Sequence, residues 1–155
     1  MRFVIQRVSS ASVTVNDLVT GQINEGFLVL IGICQDDNEA VADRLIRKMT
    51  GLRIFADAEG KTNLSLKDVG GSLLLVSQFT LYADCRKGNR PSFQNSGSPV
   101  HAEKIYNYIV EQCRKFSKES ADSSIRVETG IFAEHMTVSL VNNGPFTIIL
   151  DSKEL

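Results

Sequence analysis

The chain opens with short runs in which apolar and polar residues alternate. Phe3 to Val8 and Ser12 to Asn16 are rich in strand formers, and Val13 and Val15 alternate with polar neighbours, which predicts an N-terminal hairpin. A turn is expected around Asp17 to Gly21. Phe27 to Ile33 (FLVLIGI) is continuously apolar, too short for a comfortable helix, and reads as a strand buried on both faces. The period then lengthens. Asp36-Asp37-Asn38-Glu39 offers a helix cap, Val41, Leu45 and Met49 recur every fourth residue, and Gly51 ends the segment. A second helix is predicted from Ser98-Pro99, a capping serine followed by a proline suited to the first turn. Its apolar stripe is Ala102, Ile105, Ile109, Cys113 and Phe116. Further strands are expected at Leu52 to Phe55, before a turn at Asp57 to Lys61, and at Ser72 to Gln78, Ser124 to Val127, Met136 to Val141 and Phe146 to Leu150.

Two helices inserted singly among many strands can cover one face of a sheet but not both. The apolar faces left over need a second sheet layer, so the pattern predicts a mixed, β-rich α/β fold of β/β/α or barrel-like architecture, with another subunit covering part of the surface. No repeat or linker divides residues 1–155, and the length suits one domain.

Composition narrows the function classes. Apolar residues make up 43% of the chain, ordinary for a globular protein, and the formal charge is −1. No overall basic field points to nucleic acid, so any RNA contact must be local. The N-terminus reads as neither a signal peptide nor a membrane span, and no membrane association is expected. Cys34, Cys85 and Cys113 form no CxxC pair, which argues against a disulfide framework or zinc knuckle and fits a reducing cytoplasm. His101 and His135 lack metal-ligand spacing, and neither metal nor cofactor is expected.

Three segments could carry chemistry. Ser77-Gln78-Phe79-Thr80-Leu81 follows the buried strand Leu73 to Val76. Its ordinary reading is the polar end of a core strand. Its functional reading is a rigid display of hydroxyls, an amide and free backbone N–H groups, suited to polarising an ester carbonyl or holding an oxyanion. Asn142-Asn143-Gly144-Pro145-Phe146-Thr147 is ordinarily a turn between strands. X-Pro bonds are also where cis peptides occur, and a cis bond can aim two carbonyls together at an ammonium group. Arg86-Lys87-Gly88-Asn89-Arg90 places three cations in five positions, either as a solvated loop or as a contact for the phosphates of a nucleic-acid end.

SQFTL at 77–81, KGNRPSF at 87–93 and NNGPFT at 142–147, with QRV at 6–8, LRIF at 52–55 and GKTNLSLKDVGG at 60–71, closely resemble the D-aminoacyl-tRNA deacylase family. The resemblance runs in order from Met1 to about Ser152. It implies a homodimer of three-layer β/β/α, barrel-like subunits whose active site lies at their interface. It further implies hydrolysis of the ester of D-aminoacyl-tRNA, and of mischarged glycine, at the 3′ acceptor end. Ser77, Gln78, Phe79 and Thr80 match one wall of the family's catalytic pocket. Gly144 and Pro145 match its chiral selector, a cis pair inserted across the subunit boundary that rejects L side chains sterically. Arg7 matches a residue that steadies the Gly-Pro loop, Met136 lies on the neighbouring strand, and Lys87 and Arg90 are the candidate tRNA contacts. The chain departs from the family pattern at Ala133-Glu134-His135 and at Phe146.

Two mechanisms fit these residues. Thr80 could attack the ester, but no His, Lys or carboxylate adjoins it in sequence to take its proton. Alternatively the site positions the ester and the terminal ribose 2′-hydroxyl assists water, which is the expectation here. Competing readings are a non-catalytic nucleic-acid-binding module, a thiol hydrolase using Cys85, and a structural dimer whose Gly-Pro is only a turn.

Overall fold

The computed structural model describes residues 1–119 and 125–155. In chain order its elements are β1 (Arg2–Val15), β2 (Leu18–Ile23), β3 (Gly26–Gly32), α1 (Glu39–Thr50), β4 (Arg53–Ala56), β5 (Thr62–Ser65), β6 (Ser72–Ser77), a 3-10 turn (Phe79–Tyr82), α2 (Pro99–Glu119), β7 (Val127–Thr129) and β8 (Thr137–Asp151). The fold is mixed α/β, β-rich, and its main sheet curls toward a barrel, as the pattern predicts. Among the described residues no helix is long and apolar enough to cross a membrane.

The N-terminal segment is one strand of 14 residues, not the two halves of a hairpin. Phe3 and Ile5 point into one core, whereas Val8, Ala11, Val13 and Val15 point into another. The polar Ser9-Ser10 step between these halves is where the strand changes layers. The hairpin turn lies later, at Asn16-Asp17, where both residues have positive φ (49° and 63°) and Val15 pairs with Leu18 across two residues. Asn and Asp tolerate that backbone better than most residues, which suits a tight hairpin. The expected turn at Asp17 to Gly21 is therefore mostly β2. Its Gly21 fits because a Cβ would sit 2.6 Å from the Thr129 carbonyl oxygen.

β3 is buried on both faces, as its apolar run predicts, and it pairs in parallel with β6 from Gly26↔Ser72 to Ile31↔Ser77. Phe27, Val29, Leu73 and Leu75 face the core under the helices, and Leu28, Leu74 and Val76 face the opposite way. Both helices lie over the first face. Asn38 caps α1 by accepting the Val41 N–H (3.1 Å), and Ile105, Ile109 and Cys113 of α2 are buried. Tyr106 donates its hydroxyl to the Leu75 carbonyl (2.8 Å) and pins α2 over β6. The second face is covered by the far half of β1 with β2, Val138 of β8 and Met136 just before that strand. Helices, central sheet and curled sheet edge form the three layers.

β3 and β2 pair with successive halves of β1, while β8 pairs with β1 from Arg2↔Asp151 to Thr14↔Thr137. The two strands expected at 136–141 and 146–150 are thus one strand of 15 residues. The strand expected at 124–127 appears as Val127–Thr129, and Ser124 lies outside the described residues. β4 pairs with β5, which the sequence pattern did not reveal, across a turn where Asp57 accepts the Glu59 and Lys61 amides.

The parallel pairing of β3 with β6 begins at a close approach. A Cβ on Gly26 would lie 1.9 Å from the Ser72 carbonyl oxygen, so the strands could not meet. Gly26→Ala should cost roughly 3 kcal/mol or more. Denaturant unfolding checks this: an unchanged midpoint would show that the approach is not required.

Candidate functional site

β6 delivers Ser77 to the rim of the sheet, and the Gln78 amide continues the ladder by donating to the Ile31 carbonyl (2.8 Å). The chain then tightens into the 3-10 turn Phe79–Tyr82. As the first residues of that turn, Phe79 and Thr80 carry N–H groups for which the turn itself provides no acceptor. Both side chains are exposed, and Ser77 and Gln78 are half-buried behind them. The Gln78 side-chain amide donates to the Thr80 hydroxyl oxygen (2.6 Å). Thr80 therefore has an amide donor as its side-chain partner, and no described base contacts its hydroxyl.

A following loop folds back on this turn. The Ser96 hydroxyl donates to the Phe79 carbonyl (3.0 Å), and the rings of Phe79 and Phe93 meet edge-on at 5.0 Å. Phe79 stays 56% exposed, so the pair offers an apolar surface beside the polar strand end. The loop between is closed by a two-way backbone pair of Asp84 and Ser92 (2.7 and 2.9 Å). Asp84 accepts two contacts from the Arg86 guanidinium, which hold its carboxyl well below the usual range, at about 2. Lys87 and Arg90 are exposed at the tip of this loop, and neither forms an ion pair among the described residues.

The Gly-Pro segment has a different setting. Gln6 pairs with Thr147 and Val8 with Asn142, so four residues of β8, 143 to 146, stand opposite the single Arg7. They bulge out of the ladder, with Gly144-Pro145 cis and both residues exposed. Arg7 grips the bulge. Its Nε donates to the Asn143 carbonyl (3.0 Å), an Nη donates to the Ile54 carbonyl, and the guanidinium lies 4.7 Å from the centre of the Phe146 ring. The Asn142 side-chain oxygen accepts the Phe146 N–H (3.0 Å). Gly144 sits at φ 134°, a backbone that L side chains rarely adopt, and a Cβ there would also push the Arg7 guanidinium, 2.9 Å away, out of its place.

One protomer does not bring these parts together. Ser77 lies in the row of Phe3 and Ile31, whereas Arg7 lies in the row of Phe27 and Leu73. The bulge is thus four residues along and three strands across from the strand end, roughly 20 Å at ordinary sheet spacings. Met136 is not beside the bulge either. It packs on the second core cluster, its sulfur against Gly130.

Sequence reasoning missed the anchors behind the turn. Arg2 donates to Asp151 (2.6 Å) and to the Leu81 carbonyl (2.9 Å), with its guanidinium 4.8 Å from the Tyr82 ring centre. Nothing in the spacing of Arg2, Leu81 and Asp151 signals that a sheet will bring them together.

The chain is thus a β-rich, barrel-like domain that exposes polar groups at a strand end and at a backbone bulge, and comparison with known proteins shows the class to which it belongs. Residues 4–151 match the family model described as D-Tyr-tRNA(Tyr) deacylase. The chain is 51% identical over 155 residues to the D-aminoacyl-tRNA deacylase of Thermosipho melanesiensis, covering 100% of this chain and 99% of the relative. It is 53% identical over 154 residues to the protein of that name from Koribacter versatilis, covering 99% of each. This chain belongs to the D-aminoacyl-tRNA deacylase family, hydrolases that act on the ester bond of aminoacyl-tRNA. The solved structure of a c-Myc DNA Unwinding Element Binding Protein superposes with a TM-score of 0.87 at 38% identity, covering 97% of this chain and 98% of that one. A probable eukaryotic D-amino acid tRNA deacylase shares the fold, with a TM-score of 0.81 at 18% identity, covering 96% and 97%.

The grip of Arg7 can be tested without substrate. Arg7→Lys keeps the charge but cannot hold two carbonyls and a ring face at once. It should speed hydrogen exchange at the Phe146 amide about tenfold or more, as expected when roughly 1.4 kcal/mol of local restraint is lost. Exchange unchanged from wild type would show that the bulge holds without the guanidinium.

Proposed function

We propose that residues 1–155 act as one domain that releases D-amino acids, and glycine, from the 3′ end of tRNA in the cytoplasm, working as a homodimer whose site spans two subunits. The observation that carries the proposal is the exposed, arginine-clamped Gly144-Pro145 bulge standing far from its own strand end. In a dimer, the bulge of one subunit would enter the strand end of the other. β8 suits such a contact. Its only described strand partner is β1, and Val141 (57% exposed) and Ile149 (65% exposed) present apolar surface along it.

In this reading the ester carbonyl lies against the Phe79 and Thr80 amides, which would stabilise the oxyanion as water adds. Gly144 and Pro145 carbonyls from the partner bind the substrate ammonium. Because main chain holds the amino group and carbonyl, the third substituent of the Cα has one permitted direction. A D side chain points outward, an L side chain meets backbone, and glycine passes the same filter. Lys87 and Arg90 contact backbone phosphates of the acceptor end. Thr80, holding the Gln78 amide, serves as a positioning group, and the RNA's own 2′-hydroxyl assists water.

Incubation with matched D- and L-aminoacyl-tRNA tests the reading. Selective release of the D-amino acid is expected, and equal cleavage of both would overturn the steric filter. Salt-sensitive nucleic-acid binding without release would favour the rival binding module, a role in keeping with the name of the 38% identical c-Myc DNA Unwinding Element Binding Protein. For the mechanism, Thr80→Val should keep kcat within about tenfold of wild type, the scale of a lost positioning hydrogen bond. Abolished turnover with intact substrate binding would instead assign Thr80 as the nucleophile.

A further inference from the structure

Immediately beyond the 3-10 turn lies a groove of about 680 Å³, walled by Arg2, residues 34–36, residues 82–86, Gln94, Asn95 and Lys153. That volume falls within the range of small-ligand sites, roughly 300–1,000 Å³. The groove and the ester site share structure. Tyr82 ends the turn that Phe79 and Thr80 begin, and Gln94 and Asn95 lie between Phe93, which packs on Phe79, and Ser96, which bonds the Phe79 carbonyl.

We infer that this groove seats the unpaired nucleotides that precede the terminal adenosine of the RNA, an extension that rests on the deacylase reading above. The lining chemistry is that of base reading more than of simple phosphate binding. Cations are balanced by carboxylates, and amides supply paired donors and acceptors of the kind that match base edges. Gln35 is already oriented, because its side-chain oxygen accepts the Ser98 N–H (3.0 Å) and its NH2 remains to donate. Arg86 is 85% exposed, yet its guanidinium plane is fixed by two bonds to Asp84 (2.9 and 2.5 Å). A flat, immobilised cation is a stacking surface for an unpaired base.

The test follows hydrolysis of one D-amino acid ester on three carriers: full tRNA, the trinucleotide CCA, and adenosine alone. Combined Gln94→Ala and Asn95→Ala substitutions should raise KM about tenfold on tRNA and CCA, the loss of one good base-edge contact, while kcat holds and the adenosine ester is unaffected. Equal effects on all three carriers, or no effect on any, would overturn the subsite. If wild-type protein cleaves all three esters with one KM, the deacylase reading stands and the subsite alone falls. If it cleaves none, the deacylase reading falls and takes the subsite with it.

Discussion

A strand has two edges, and the architecture turns on how β1 uses both. β3 and β2 share one edge in succession, and β8 occupies the other for nearly its whole length. The two long strands do not match residue for residue. Four residues of β8 face one of β1 at Arg7, and the surplus must leave the ladder, so its carbonyls and amides need partners other than the β1 backbone. Arg7 answers that mismatch from the opposing strand, taking the Asn143 carbonyl while also tying Ile54 and stacking on Phe146. The bulge is therefore held in a defined shape at an exposed position, which an ordinary loop there would not be.

The same strand makes the strand end after Val76 rigid. Because β1 changes layers at Ser9-Ser10, its far end with β2 covers the face of β3 and β6 that the helices leave open. β6 is then buried on both sides up to Val76, and Ser77 emerges from a strand that cannot tilt without disturbing two cores. Polar groups at such an end are positioned by packing, and the Gln78–Thr80 and Ser96–Phe79 hydrogen bonds finish the alignment.

Much of this was legible in the residues. The run FLVLIGI, the two helices and the strand that ends near Ser77 each depend on local periodicity, and each appears close to where that periodicity puts it. Two of the errors share a cause. Ser9-Ser10 and Gly144-Pro145 both look like chain reversals, and in both places the chain keeps pairing with the same neighbour, because tertiary pairing along β1 overrides the local turn signal. β2 was hidden by Gly21, which is needed for close approach to Thr129 and not for turning. The Arg2 anchor, with partners 79 and 149 residues away, leaves no trace in any window of sequence. What the residues alone left open as turn or selector was weighted toward function by family resemblance, not by spacing.

The separation of bulge and strand end within one protomer also constrains how selectivity could arise. A filter made of main chain cannot be retuned by exchanging a side chain at the contact, since its shape belongs to the backbone and to the arginine that clamps it. In the proposed dimer, changes to selectivity would have to act on the clamp or on how the two subunits meet. Phe146 belongs to that class. Its ring carries the guanidinium and its amide is held by Asn142, so a smaller residue there would remove the stacking surface while leaving the hydrogen bonds of Arg7 in place. The aromatic ring makes the clamp a three-point contact in which Asn143, Ile54 and Phe146 each restrict a different motion of the arginine, and the precision of the proposed filter is set by that restriction.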